Sequence, residues 1–171
     1  MVKAIRAHEY GGPEVMKWEA VEVGQPGQGQ LRIKHTACGL NFVDCYQRSG
    51  LYKQPSMPFV LGNEAAGVVQ AVGPGVGEFK VGDRVAYASP VGSYCEERLI
   101  PAERVVKVPD GVDDLQAAAL QVAFGTSWHM LFTRGRLRPG ERVLVNSVGS
   151  GIGSAAVQLA VNAGTASLAV S

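Results

Sequence analysis

The sequence predicts an α/β protein with a partly closed β-barrel in front and the opening β-α-β of a parallel sheet behind. Three observations carry that prediction. Residues 1 to about 110 are short apolar or alternating runs separated by Gly- and Pro-rich turns. From about residue 113 the texture changes to a long Ala-, Leu- and Met-rich stretch at helical spacing. Residues 141–161 then read as a short apolar strand, a glycine-rich turn and an amphipathic helix. The boundary is placed near residue 122, giving parts 1–122 and 123–171.

In chain order, Val2 to His8 is a first strand, ended by Gly11-Gly12-Pro13. Leu31 to Ala37 alternates apolar and polar, the period of a half-buried strand. Asn41 to Arg48 reads as a short helix that Asn41 caps, with Phe42, Cys45 and Tyr46 on one face. Ala65–Val72, Asp83–Tyr87 and Tyr94–Ile100 are further strands. Leu115 to Leu131 is a helix that tolerates Gly125, with Trp128 and Met130 read as core. Strand 142–146, a helix from about Ser150 to Ala163 stopped by Gly164, and a last strand Ala166–Val170 complete the β-α-β.

Composition narrows the function classes. The 171 residues are 46% hydrophobic and 18% charged, with a formal net charge of +1 and no run of like charge, which argues against nucleic acid as a partner. No stretch is long and apolar enough for a membrane span, and the N-terminus lacks a secretory signal pattern. Three cysteines without CxxC spacing point to a reducing, cytoplasmic setting. Cys95 precedes Glu96-Glu97, whose charge is expected to raise its thiol pKa. Arg134, Arg136 and Arg138 read as a solvated loop.

The turn Gly149-Ser150-Gly151-Ile152-Gly153 joins strand to helix where a dinucleotide-binding unit holds its pyrophosphate. The chain must bend sharply there, the backbone must admit an anion, and the helix start must offer free N–H groups. A strict GxGxxG pattern from Gly149 has Ser154 in its third place, a small residue suited to packing helix on strand.

Several segments together resemble the medium-chain dehydrogenase/reductase superfamily, and within it the zinc-free quinone oxidoreductases related to zeta-crystallin. They are His8-Glu9-Tyr10-Gly11-Gly12-Pro13-Glu14-Val15, Gly39 through Tyr52, Leu61-Gly62-Asn63-Glu64-Ala65-Ala66-Gly67, Val81-Gly82-Asp83-Arg84-Val85 and Phe124-Gly125-Thr126-Ser127-Trp128. The resemblance implies a GroES-like barrel followed by an incomplete Rossmann βαβ unit, with NADPH in the cleft between the two. It also implies a chain roughly twice as long, with the rest of the sheet beyond Ser171. Val143, Val145, Val157 and Leu159 are then the residues expected to lack packing partners.

Zinc-dependent members of that superfamily place ligands where this sequence has Asn41 and Asn63, and an amide is a poor zinc ligand. His8, His35 and His129 have no ligand spacing, so no metal is expected. The resemblance implies direct hydride transfer from NADPH to a small-molecule quinone or enone. Asn41, Tyr46 and Tyr52 are the candidate catalytic donors. Asn41, Thr126, Gly149, Ser150, Gly151, Ile152 and Gly153 are the candidate cofactor contacts. Glu64 is read as a structural hydrogen-bond or ion-pair residue. The alternatives are a zinc-free enone or haloacrylate reductase, and a non-catalytic barrel module. A homo-oligomer is compatible with each.

Overall fold

The computed structural model describes residues 1–170, and the chain divides into two compact units, Met1–Ala119 and Leu120–Ser171. The first unit holds two antiparallel sheets. In the smaller, β1 (Val2–Ala7) lies between β2 (Met16–Val21) and β4 (Phe59–Val60). The larger comprises β3 (Gln30–Gly39), β5 (Glu64–Val72), β6 (Arg84–Ala88), β7 (Glu97–Pro101) and β8 (Val106–Lys107), in the order β7-β3-β5-β6-β8. A seam joins the sheets. Ile5 N–H donates to Tyr94 O at 2.8 Å, Glu96 N–H donates to Lys3 O at 2.8 Å, and Ala4 bridges Cys95.

That seam explains why Tyr94–Ile100 is not one strand. Residues 94–96 bond to β1, and Glu97–Pro101 continue along β3, with Glu96 O accepting His35 N–H at 2.9 Å where the two meet. Alternation accounts for β3: Leu31 and Ile33 are fully buried, while Lys34 is exposed. Bulges between Arg32 and Ile33, and between His35 and Ala37, shift its register against β5. The core gathers Leu31, Ile33, Val69, Val85, Tyr87 and Ile100. Each large side chain buried there contributes about 1.5–3 kcal/mol. β2 escapes the sequence reading because its alternation is inverted. Trp18 faces solvent, while Glu19 pairs with Arg6 at 2.9 Å and His8 at 3.0 Å across β1.

His35 is held inside this unit. Its Nδ1 lies 2.7 Å from Cys95 O and its Nε2 lies 2.8 Å from the Tyr87 hydroxyl. Burial, aided by the Arg98 charge, pushes its pKa down from 6.5 to about 4. Between those values the unfolded chain binds the proton and the folded chain does not. Stability is therefore full above pH about 6.5 and declines as pH falls toward 4, by about 3 kcal/mol from this group. Urea denaturation at pH 7 and pH 4.5 checks this: the His35→Gln variant should lose less stability between the two than the wild type. Equal losses would refute it.

α2 (Asp114–Trp128) begins in the first unit and ends in the second. Its backbone then widens into a π-helical turn, His129–Arg134, so helical structure runs past Leu131. Trp128 and Met130 are not core: each is 56% exposed, and Trp128 packs on Phe132 with ring centroids 4.5 Å apart. The second unit continues with β9 (Arg142–Asn146), α3 (Gly151–Asn162) and β10 (Ala166–Val170), which pairs parallel to β9. The bare positions differ from those expected. Val145 is buried, Val143, Val157 and Leu159 are half-buried, and Leu144 and Leu168, register partners on one face, are exposed. Strand parity decides this: odd positions of β9 turn inward and even ones outward.

Candidate functional site

In the first unit, the chain leaving β3 at Gly39 turns into α1 (Phe42–Ser49), with Asn41 as its N-cap. Asn41 and Asp44 form a capping box, in which Asp44 Oδ2 accepts the Asn41 backbone N–H at 2.8 Å. The face of α1 that turns inward is polar, and it is not the face that carries Phe42, Cys45 and Tyr46. Asp44 and Gln47 are buried, Phe42 is 75% exposed, and Cys45 and Tyr46 are half-buried.

The reason is a web of buried hydrogen bonds. The Asp44 carboxylate accepts the Tyr94 hydroxyl at 2.6 Å and Asn63 Nδ2 at 2.5 Å, besides the Asn41 N–H. Asn63 and Gln47 pair their amides reciprocally, at 2.9 and 3.1 Å. Both Asn63 Nδ2 protons and its oxygen are thus committed within the protein. Glu64, at the start of β5 and 2% exposed, accepts Asn41 Nδ2 at 2.7 Å. Gly39 opposite makes room for it, since a Cβ there would collide with the Glu64 carboxylate. Burial, together with the bond to Asp44, drives the Tyr94 pKa well above the ordinary phenol value, so Tyr94 is a fixed hydrogen-bond donor.

Beside this web an aromatic row reaches the surface. Phe42 and Tyr46 meet edge-on with centroids 5.4 Å apart, as do Tyr46 and Tyr52. Tyr52 is 54% exposed and its backbone N–H donates to Tyr46 O at 3.0 Å. Leu40 and Leu51 are exposed as well. Asn41, Tyr46 and Tyr52 therefore belong to one segment of the first unit, 41–52, held from below by Asp44, Asn63 and Glu64. Sequence reasoning missed Asp44, Gln47 and Tyr94.

The second unit carries the glycine turn. Ser150 caps α3: its Oγ accepts Gly153 N–H at 3.0 Å and donates to Ser147 O at 2.8 Å. Gly153, not Ser154, takes the close-packing place, because a Cβ at 153 would collide with the backbone of Ser147 and Val148, whereas Ser154 is exposed. A Cβ at Gly149 would meet nothing within 4 Å, and one at Gly151 only Ala123 Cβ at 3.9 Å. The turn is thus tight against the strand at one glycine and open at two. Ile152 is exposed, and its carbonyl accepts the hydroxyl of the fully buried Ser127 at 2.9 Å. Thr126, next to Ser127 on α2, is half-buried. A cavity of about 310 Å³ beside the turn is lined by Ser127, Val145, Ser150, Ile152 and Gly153, among others.

A larger groove of about 590 Å³ lies elsewhere on the first unit, along Arg6, Glu97 and Arg98. Three of its charged residues are engaged within the protein: Arg6 pairs with Glu19, Glu97 with Arg32, and Arg98 donates to Pro90 O at 2.9 Å. Cys95 is held as a thiol, its pKa pushed up to about 12, and burial rather than Glu96 and Glu97 is the main cause. Among the described residues no three His, Cys, Asp or Glu side chains gather as a metal site. No helix among them is long and apolar enough to cross a membrane.

Residues 27–110 match the alcohol dehydrogenase GroES-like domain family. The chain is 45% identical over 161 residues to a quinone oxidoreductase of Pseudomonas aeruginosa, an alignment covering 94% of this chain and 50% of that protein. It is 43% identical over 160 residues to a 2-haloacrylate reductase of Burkholderia sp, covering 90% of this chain and 48% of that protein. The crystal structure of Escherichia coli quinone oxidoreductase complexed with NADPH superposes on it with a TM-score of 0.93 at 36% identity, covering 98% of this chain and 52% of that one. The chain thus spans about half the length of the relatives it matches.

Proposed function

We propose that this chain, which belongs to the alcohol dehydrogenase GroES-like family and, within it, sides with the quinone oxidoreductases, is part of an NADPH-dependent reductase acting on a quinone or activated alkene without a metal. Bound NADPH would supply the hydride. The open space at Gly149 and Gly151 and the free first N–H groups of α3 suit a pyrophosphate. Ser150 shapes that turn from within, Ile152 and Gly153 fix its start on the strand, and Thr126 lies on the helix whose Ser127 ties to it. Asn41, Tyr46 and Tyr52 offer N–H and O–H donors to an acceptor oxygen as negative charge develops on it.

The observation that carries the metal-free reading is the state of the two asparagines. Asn63 is saturated by Asp44 and Gln47, and Asn41 gives an N–H to Glu64. A site built around amides and their internal hydrogen bonds suits donation to an oxyanion, and it suits a cation poorly. The Asn41→Ala variant should lower kcat for quinone-dependent NADPH oxidation about 10- to 100-fold, with the Km for NADPH little changed. Tyr52→Phe should cost about two- to tenfold. Unchanged turnover in both would remove these residues from the catalytic machinery, and no quinone-dependent NADPH oxidation by the wild type would favour a non-catalytic barrel. The likeness to a haloacrylate reductase supports a second reading, a conjugated acid as acceptor. Comparing NADPH oxidation with quinones against halogenated acrylates separates the two.

A further inference from the structure

We infer that Glu64 is a positioning residue: its buried carboxylate fixes the orientation of the Asn41 amide, so that Asn41 offers the acceptor an N–H and not a carbonyl oxygen. This rests on the reductase reading above. An asparagine amide has two donor protons and one acceptor oxygen, and a half-turn about its last bond exchanges them. Two neighbours act on this one. Glu64 Oε1 accepts Nδ2 at 2.7 Å. On the other side, the Asn41 side chain stands against the start of α1, whose Asp44 N–H donates to the Asn41 backbone O at 3.0 Å, so an amide oxygen suits that place better than an N–H₂ group.

Both demands select the same orientation. Nδ2 faces the carboxylate and Oδ1 faces the helix start, leaving the second N–H as the group not used by either neighbour. Rotating the amide would set Oδ1 against a carboxylate and Nδ2 against an N–H, two repulsions at once. Glu64 cannot easily give way, because it is 2% exposed and packed where Gly39 has no Cβ. A carbonyl oxygen presented to an acceptor gaining negative charge would oppose the reaction, whereas an N–H stabilises it. Glutamate is the informative residue here. A glutamine of the same shape could pair with the amide in either orientation, and the choice would no longer be enforced.

Steady-state kinetics of the intact protein test this with Glu64→Gln, Asn41→Ala and the double variant. Glu64→Gln should lower kcat about tenfold while leaving the Km for NADPH within about twofold, since the pyrophosphate contacts are assigned to the glycine turn. The double variant should be about as slow as Asn41→Ala alone, because the effect of Glu64 on turnover is assigned to that amide. Losses that multiply in the double variant, or a Glu64→Gln kcat equal to wild type, would overturn the assignment. Should Glu64→Gln fail to fold, the same comparison with Asn41→Ala is made in Glu64→Asp, which keeps the charge. If the wild type shows no turnover, the reductase reading falls and this assignment with it; if Asn41→Ala turns over normally, the roles of Asn41 and Glu64 fall while the reductase reading stands. If Asn41→Ala is slow but the coupling is absent, only the role of Glu64 falls.

Discussion

The Asp44→Ala variant is expected to lose about 3–5 kcal/mol of stability. Asp44 is 5% exposed, and three donors converge on its carboxylate: the Tyr94 hydroxyl, Asn63 Nδ2 and the Asn41 backbone N–H. Alanine removes the acceptor and leaves those donors buried around a small void, so each forfeits its hydrogen bond without regaining water. Asp44→Asn keeps the shape but turns an N–H₂ group toward donors, and should cost less, about 1–3 kcal/mol. Urea unfolding of the two variants beside the wild type reads both numbers. Because the web also fixes the start of α1, Asp44→Ala should lose turnover in the fraction that remains folded. A variant within about 0.5 kcal/mol of wild type would show that the web is not a structural keystone.

One methyl group added at two glycines of the same turn should produce opposite phenotypes. At Gly153 a Cβ would press into the carbonyl of Ser147 and the Cα of Val148, backbone atoms that cannot swing aside. Gly153→Ala should therefore destabilise the protein by about 2–3 kcal/mol, and its binding loss should follow from that. At Gly149 a Cβ would meet nothing within 4 Å, so Gly149→Ala should melt with the wild type. It should nonetheless weaken NADPH about ten- to hundredfold, because the methyl fills the space a pyrophosphate needs. Thermal melting and NADPH fluorescence titration separate the two effects. Wild-type affinity in a stable Gly149→Ala protein would remove the turn from the cofactor site.

The elements legible in the sequence were those in which one periodicity dominates. β3 shows its alternation through Leu31 and Ile33, and the run from Arg142 to Val170 shows strand, turn, helix and strand in order. β2 was hidden because Trp18 faces outward, so its pattern reads as a loop with charges. The candidate site was legible as local structure, in the helix start at Asn41 and the strand, turn and helix around the glycines. Its support was not, because α1 buries Asp44 and Gln47 and exposes Phe42, the reverse of the usual assignment of polar and apolar faces. A signal existed. Asp44 follows Asn41 by three residues, the capping-box interval, and Gln47 follows Asp44 by three, which places both on one side of a helix. The third glycine was misplaced because spacing alone cannot show which residue meets the strand backbone, and only the collision at Gly153 decides it.

The separation between the buried web and the exposed rim has an evolutionary consequence. Leu40, Phe42 and Leu51 stand in solvent, while the hydrogen bonds that secure α1 run through Asp44, Gln47 and Asn63. Substitutions at those three rim side chains are therefore expected to leave the fold intact, so sequence drift can concentrate there and spare the scaffold beneath.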